Sequence, residues 1–157
     1  MKRYTYLPQV VLGLAFSMGI PMAFAATSNE IPKLAWLLVV ANLVWTVAYD
    51  TEYAMVDRDD DIKLGLKSSA ILFAELDTVI IGILQLLFLG IMLLVAYQTQ
   101  MHGAFYFAMG VAATLLYHQQ TLIQARQRDA CFAAFLHNHW VGLAIFCGIA
   151  MDFMLYT

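Results

Sequence analysis

Apolar residues in this chain are gathered into runs long enough for an α-helix to cross the roughly 30 Å of hydrocarbon in a bilayer. They extend from Leu7 to Ala25, Leu34 to Val56, Asp77 to Tyr97, Gly103 to Ile123, and about Trp140 to Leu155. Inside lipid a backbone has no water to bond with, so each run must satisfy its own N–H and C=O groups. The pattern predicts an all-α, polytopic transmembrane bundle of about five spans. The stretch from Ser68 to Leu76, which carries Glu75, reads either as an interfacial turn or as the start of the third helix. Composition agrees: 62% of the 157 residues are apolar and 12% charged, against roughly 25% charged in an average soluble domain. With 8 Lys and Arg against 11 Asp and Glu the net charge is -3, which leaves no basic surplus for a nucleic acid backbone.

Loops on the cytoplasmic side of a membrane protein hold its Lys and Arg. With the amino end inside, Lys2, Arg3, Arg58, Lys63, Lys67, Arg126 and Arg128 all fall on that side, seven of the eight cations, and only Lys33 lies opposite. The opening also has the layout of a secretory leader, with Ala23-Phe24-Ala25 as an A-x-A site. A chain with further spans needs no cleaved leader, and Pro8 and Pro21 are tolerated in packed membrane helices, so the run is read as a span. Cys131 and Cys147 suggest small packing residues rather than a disulfide framework.

Tyr49 to Ser68 is the informative segment: Y-D-T-E-Y-A-M-V-D-R-D-D-D-I-K-L-G-L-K-S. Asp50, Glu52, Asp57, Asp59, Asp60 and Asp61 place 6 of the 11 acids where the second span leaves the membrane. At about 100° per residue, Asp50, Ala54, Asp57 and Asp61 share one helical face. Asp60 and Tyr53 flank that face, and Asp59 points the opposite way. The i, i+4 spacing of Asp57 and Asp61 brings two hard oxygen ligands together, suited to a hydrated Mg²⁺ that also takes phosphate oxygens. Arg58, Lys63 and Lys67 offer cations to an anionic group. Asp50 lies at least one turn deeper in an apolar helix, where an ionisable residue is functional by default. An EF-hand is excluded, since Ile62 and Ser68 stand where Gly and Glu are needed.

The segment resembles the second aspartate-rich motif of the UbiA superfamily of membrane prenyltransferases, D-x-x-Y-A-x-x-D-x-x-D-D-x-x-x-G-x-K-S. Asp50, Tyr53, Ala54, Asp57, Asp60, Asp61, Gly65, Lys67 and Ser68 occupy all its fixed positions. The opening K-R-Y-T-Y-L-P-Q-V-V-L-G resembles the ubiquinone-branch members. The resemblance implies that residues 1–157 are the carboxyl-terminal part of one nine-helix domain, helices five to nine, and that Met1 corresponds to an internal methionine. The amino-terminal part, with its first motif N-D-x-x-D-x-x-x-D, has no counterpart in these residues. It further implies transfer of a polyprenyl group from polyprenyl diphosphate to the ring carbon ortho to the hydroxyl of 4-hydroxybenzoate. Asp57 and Asp61 would lie nearest Mg²⁺, with Asp60 supporting, and Asp50, Tyr53 and Arg3 would serve catalysis. Lys2, Arg3 and Lys67 would meet the diphosphate or the benzoate carboxylate. The implied location is the bacterial inner membrane, with the aspartates on the cytoplasmic side.

Two other readings stand beside this one. A chain without the first motif would be silent alone and would need an amino-terminal half or another copy. A small cation transporter using Asp50 and Asp57 would require acids continuing across the bilayer, whereas they stop at one helix end and Asp152 reads as a boundary residue. His137 and His139 lie about 200° apart on a helix, which favours packing over metal binding. Asn42 is expected to hydrogen-bond between helices.

Overall fold

The computed structural model describes residues 6–156, and the described residues hold helices and turns without a strand. In chain order the helices are α1 (Pro8–Ser17), α2 (Gly19–Ser28), α3 (Lys33–Lys63), α4 (Ser69–Phe73), α5 (Asp77–Gln98), α6 (Gly103–Ile123) and α7 (Arg128–Tyr156). A 3-10 turn, Ala74–Leu76, leads into α5. Helices α1, α2, α4, α5 and α7 all pack on α3, and α6 lies along α7.

The first expected span is two helices joined at Met18. Pro21 has no N–H for the carbonyl of Ser17 and its ring crowds that carbonyl, which interrupts the ladder one turn earlier. Met18 keeps helical angles (φ -65°, ψ -21°), so the axis bends and the chain continues. The bend is tied to α3 by Ser17, whose Oγ donates to the Gly13 carbonyl at 2.6 Å and accepts from Asn42 Nδ2 at 3.0 Å. Asn42 thus makes the interhelical bond expected of it.

Helix α3 has 31 residues, about 46 Å at 1.5 Å per residue. That exceeds the hydrocarbon thickness, so its acidic last turns belong beyond the apolar layer. The stretch left open between the second and third spans begins the third, since Ser69–Gln98 forms one apolar stretch, but it does so with a break: α4 is a short helix, and Ala74 at φ +48° turns the chain into the 3-10 turn.

Helix α7 begins at Arg128, well before the expected Trp140. Polar residues between 128 and 139 disguised it, yet Asn138 is buried, and Cys131 and Ala134 pack with Ala54, Met55, Ala70, Ile81 and Ile123 beneath the acidic turns. Among the described residues four stretches are long and apolar enough to cross a membrane: Pro8–Ser28, Lys33–Lys63, Ser69–Gln98 and Arg128–Tyr156. Helix α6 has the boundaries expected of the fourth span, but His118, Gln119 and Gln120 dilute its last turns and it falls outside that set. Gln119 is turned inward, fully buried.

Asp152 near the end of α7 is buried at the start of α6. Its carboxylate accepts the backbone N–H of His102 at 2.9 Å and of Phe105 at 3.2 Å. A negative group at a helix amino terminus satisfies orphan donors and complements the macrodipole. The expected boundary residue therefore caps α6 from a neighbouring helix.

Helices α6 and α7 cross closely because Gly148 has no side chain. A Cβ there would stand 2.3 Å from the Ala108 Cβ. Gly148→Val is expected to lower stability by about 1–3 kcal/mol through overpacking. Thermal unfolding in detergent measures it, and adding Ala108→Gly should recover part of the loss.

Candidate active site

The acidic face forms on the last turns of α3. Ala54 is buried, Asp61 is 4% exposed, Asp50 and Asp57 are half-buried, and Asp59 and Asp60 are exposed. Asp60 is turned toward Lys63 (3.6 Å) and Arg128 (3.3 Å). Asp59 lies on the other side, where it lines a polar pocket of about 220 Å³ with Arg58, Asp77, Arg126 and Arg128.

The glycine in the segment has a structural reason. Gly65 adopts φ +63°, the left-handed conformation that ends many helices. Its N–H reaches the Ile62 carbonyl at 3.2 Å, and the Leu66 N–H reaches the Asp61 carbonyl at 2.8 Å. These two bonds close the helix and send Lys67 and Ser68 back toward the bundle. Lys67 Nζ then stands 4.9 Å from the centre of the Tyr6 ring, within cation–π range. Lys2 and Arg3 lie outside the described residues.

Tyr53 meets an aromatic column between α3 and α7. Its ring centre is 5.0 Å from Phe135 and 6.5 Å from Phe132. Tyr49 lies 6.0 Å from Phe135 and 5.7 Å from Trp45, and Trp45 stacks on Phe88 at 5.3 Å. Trp45, Tyr49 and Phe135 line a groove of about 400 Å³ with Leu136, Asn138 and His139.

Sequence reasoning passed over the polar centre of the bundle. Glu52, counted among the motif acids, points away from the aspartate face and is fully buried. Asn138 Nδ2 donates to its Oε2 at 2.9 Å, and Gln85 Nε2 to its Oε1 at 3.3 Å. Gln85 is linked in turn to Gln119 (3.2 Å) and Gln120 (3.0 Å). Asn138 also accepts the Trp45 indole N–H at 3.0 Å. The signal was present as amide side chains inside otherwise apolar runs, where a polar group needs a partner.

Arg58 also departs from expectation. It does not stand ready for an anion on the aspartate face, because its Nη1 donates to Asp77 Oδ2 at 3.3 Å. His137 and His139 point apart, His137 toward the His118 ring (5.4 Å) and His139 toward Trp140 (4.6 Å).

Among the described residues no three or more His, Cys, Asp or Glu side chains converge as a metal cage. Asp57 and Asp61 offer hard oxygen donors one turn apart. Mg²⁺ commonly takes one or two carboxylates and completes its octahedron with water and phosphate oxygens. The donor set fits part of such a shell.

Residues 1–143 match the sequence model of the UbiA prenyltransferase family, and the chain belongs to that family. It is 58% identical over 153 residues to a 4-hydroxybenzoate octaprenyltransferase of Serratia proteamaculans, covering 98% of this chain and 53% of the relative. The corresponding octaprenyltransferase of Photobacterium profundum is 54% identical over 155 residues, covering 99% and 54%. This chain therefore spans about half the length of those relatives. The apo structure of a UbiA homolog from Aeropyrum pernix K1 superposes with a TM-score of 0.78 at 20% identity, over 97% of this chain and 57% of that one. The fold is thus the UbiA helical fold over that part.

Asn138 joins Glu52 to Trp45, so Asn138→Ala leaves a buried carboxyl and a half-buried indole without this partner. It is expected to cost about 1–3 kcal/mol, measured by thermal unfolding. Tryptophan emission should broaden as the Trp45 indole loses its anchor.

Proposed function

We propose that this chain is the carboxyl-terminal half of a 4-hydroxybenzoate polyprenyltransferase of ubiquinone biosynthesis. It would lie in the bacterial inner membrane with the amino terminus and the aspartates on the cytoplasmic side. The observation that carries the reading is the complete second motif folded onto the end of α3, with Asp57 and Asp61 on one face over a buried Ala54. Similarity to the curated octaprenyltransferases supports the choice of substrates, and the location of seven of eight cations supports the orientation.

In this reading Asp57 and Asp61 would hold Mg²⁺, with Asp60 close by and Asp50 about two turns deeper. Bound there, Mg²⁺ supplies positive charge to the departing diphosphate. Lys67 adds a point charge to the same anion, and Lys2 and Arg3 pair with the diphosphate or the benzoate carboxylate. The allylic C–O bond breaks with its electron pair leaving on the diphosphate. The aromatic column beginning at Tyr53 presents π faces to the resulting cation, which they stabilise. The ring carbon ortho to the hydroxyl of 4-hydroxybenzoate forms the new C–C bond, and the proton it carried is lost. Trp45, Tyr49 and Phe135 line the adjoining groove and offer apolar surface to the prenyl chain.

A second reading rests on the chain's share of its relatives and on its two-carboxylate donor set: the polypeptide is silent until an amino-terminal half or a second copy completes the site. The deciding experiment expresses the chain, alone and with an amino-terminal half, in a host lacking its own enzyme. Membranes are assayed for Mg²⁺-dependent transfer from polyprenyl diphosphate to 4-hydroxybenzoate. Transfer is expected on co-expression, and its absence under both conditions overturns the proposal. In the active preparation, Asp57→Ala and Asp61→Ala should each lower turnover by at least about 100-fold.

A further inference from the structure

Asp77 opens α5 and has no solvent exposure, a costly position for a carboxylate unless it is paired and hydrogen-bonded. Its partners come from three parts of the chain. Thr78 N–H donates to Oδ1 at 2.7 Å within the first turn of α5. Arg126, in the turn between α6 and α7, donates from Nε to Oδ1 at 2.9 Å and from Nη2 to the Glu75 carbonyl at 2.6 Å. Arg58, from the acidic end of α3, donates to Oδ2 at 3.3 Å. The backbone is bent to bring these groups together, with Arg126 at φ +50° and Ala74 at φ +48°, the sparsely populated left-handed region. A guanidinium inside the D-R-D-D-D run is thereby committed to the far side of α3 from the aspartate face.

The commitment matters because of helical spacing. The i+3 neighbour of Arg58 on α3 is Asp61, and opposite charges at that spacing attract across one turn. A guanidinium resting on Asp61 would compete directly with a divalent cation for its oxygens. We propose that Asp77 is a positioning residue: it draws Arg58 away from Asp61 and so preserves the affinity of the Asp57–Asp61 pair for a divalent cation. The inference rests on the metal-binding reading of that pair.

The test uses the full chain in detergent with Mn²⁺ as the probe, free ion being counted by its electron paramagnetic resonance signal. Thermal unfolding of each variant confirms that it is folded. Asp77→Asn keeps the shape of the side chain and removes its charge, and should weaken Mn²⁺ binding by about fivefold, the upper end for a single pair of this kind. Adding Arg58→Gln to Asp77→Asn should restore affinity to within about twofold of the parent, because the competitor is gone. A purely structural clamp predicts the reverse, a double variant no better than Asp77→Asn. That result, or unchanged binding in Asp77→Asn, overturns the inference. Should Asp77→Asn fail to fold, Arg58→Gln alone decides, since it leaves the Asp77–Arg126 pair in place. Affinity at or above the parent's supports the inference, and a fall overturns it. A parent that binds no Mn²⁺ overturns the metal reading itself, and the two failures are thereby told apart.

Discussion

A carboxyl group buried at Glu52 sets the terms on which this bundle packs. In an apolar interior a polar group without partners costs several kcal/mol, and its cheapest remedy is a donor on a neighbouring helix. Asn138 of α7 and Gln85 of α5 provide those donors, so the rotation of both helices about α3 is fixed by hydrogen bonds that cannot slide. Gln119 and Gln120 extend the arrangement to α6. One residue therefore registers four helices whose apolar surfaces alone would tolerate other rotations, because lipid is as apolar as the core and gives little directional preference.

The same registration reaches the candidate site. Asn138 holds the Trp45 indole, and Trp45 is the foot of the column that rises through Tyr49, Phe135 and Tyr53 toward the aspartates. Above the column, α3 continues past the apolar layer, and the Gly65 turn folds Lys67 back beside Tyr6. A second carboxylate, Asp77, gathers the connections on that side through Arg58 and Arg126. The acidic end of α3 is thus held from below by amides and from the side by arginines. This rigidity suits the proposed role, in which the site would present charge without rearranging as a leaving group departs.

Close packing completes the frame where side chains are missing. Gly148 lets α7 approach Ala108 of α6, and Gly13 lets α1 approach Leu43 and Thr46 of α3. Large apolar residues such as Leu86, Phe107, Phe146 and Met154 face outward, as expected of a chain whose solvent is lipid.

Much of this was legible in the residues themselves. Apolar run lengths marked the spans, since bilayer thickness imposes a minimum, and the boundaries of α6 were read to the residue. Helical periodicity alone put Asp50, Ala54, Asp57 and Asp61 on one face and Asp59 on the other. The early start of α7 was hidden because its first turns carry polar residues whose burial depends on partners far away in sequence. The extra helix α4 and the bend at Met18 were hidden for a related reason: Ala74 and Pro21 act on local geometry that periodicity does not measure. Local sequence determined the helices, the membrane and the acidic face, because each depends on spacing along one helix. Only the tertiary structure decided that Glu52 looks inward to Asn138 and Gln85, and that Arg58 serves Asp77. Those choices are contacts between residues 19 to 86 positions apart, and spacing along a single helix carries no information about its neighbours.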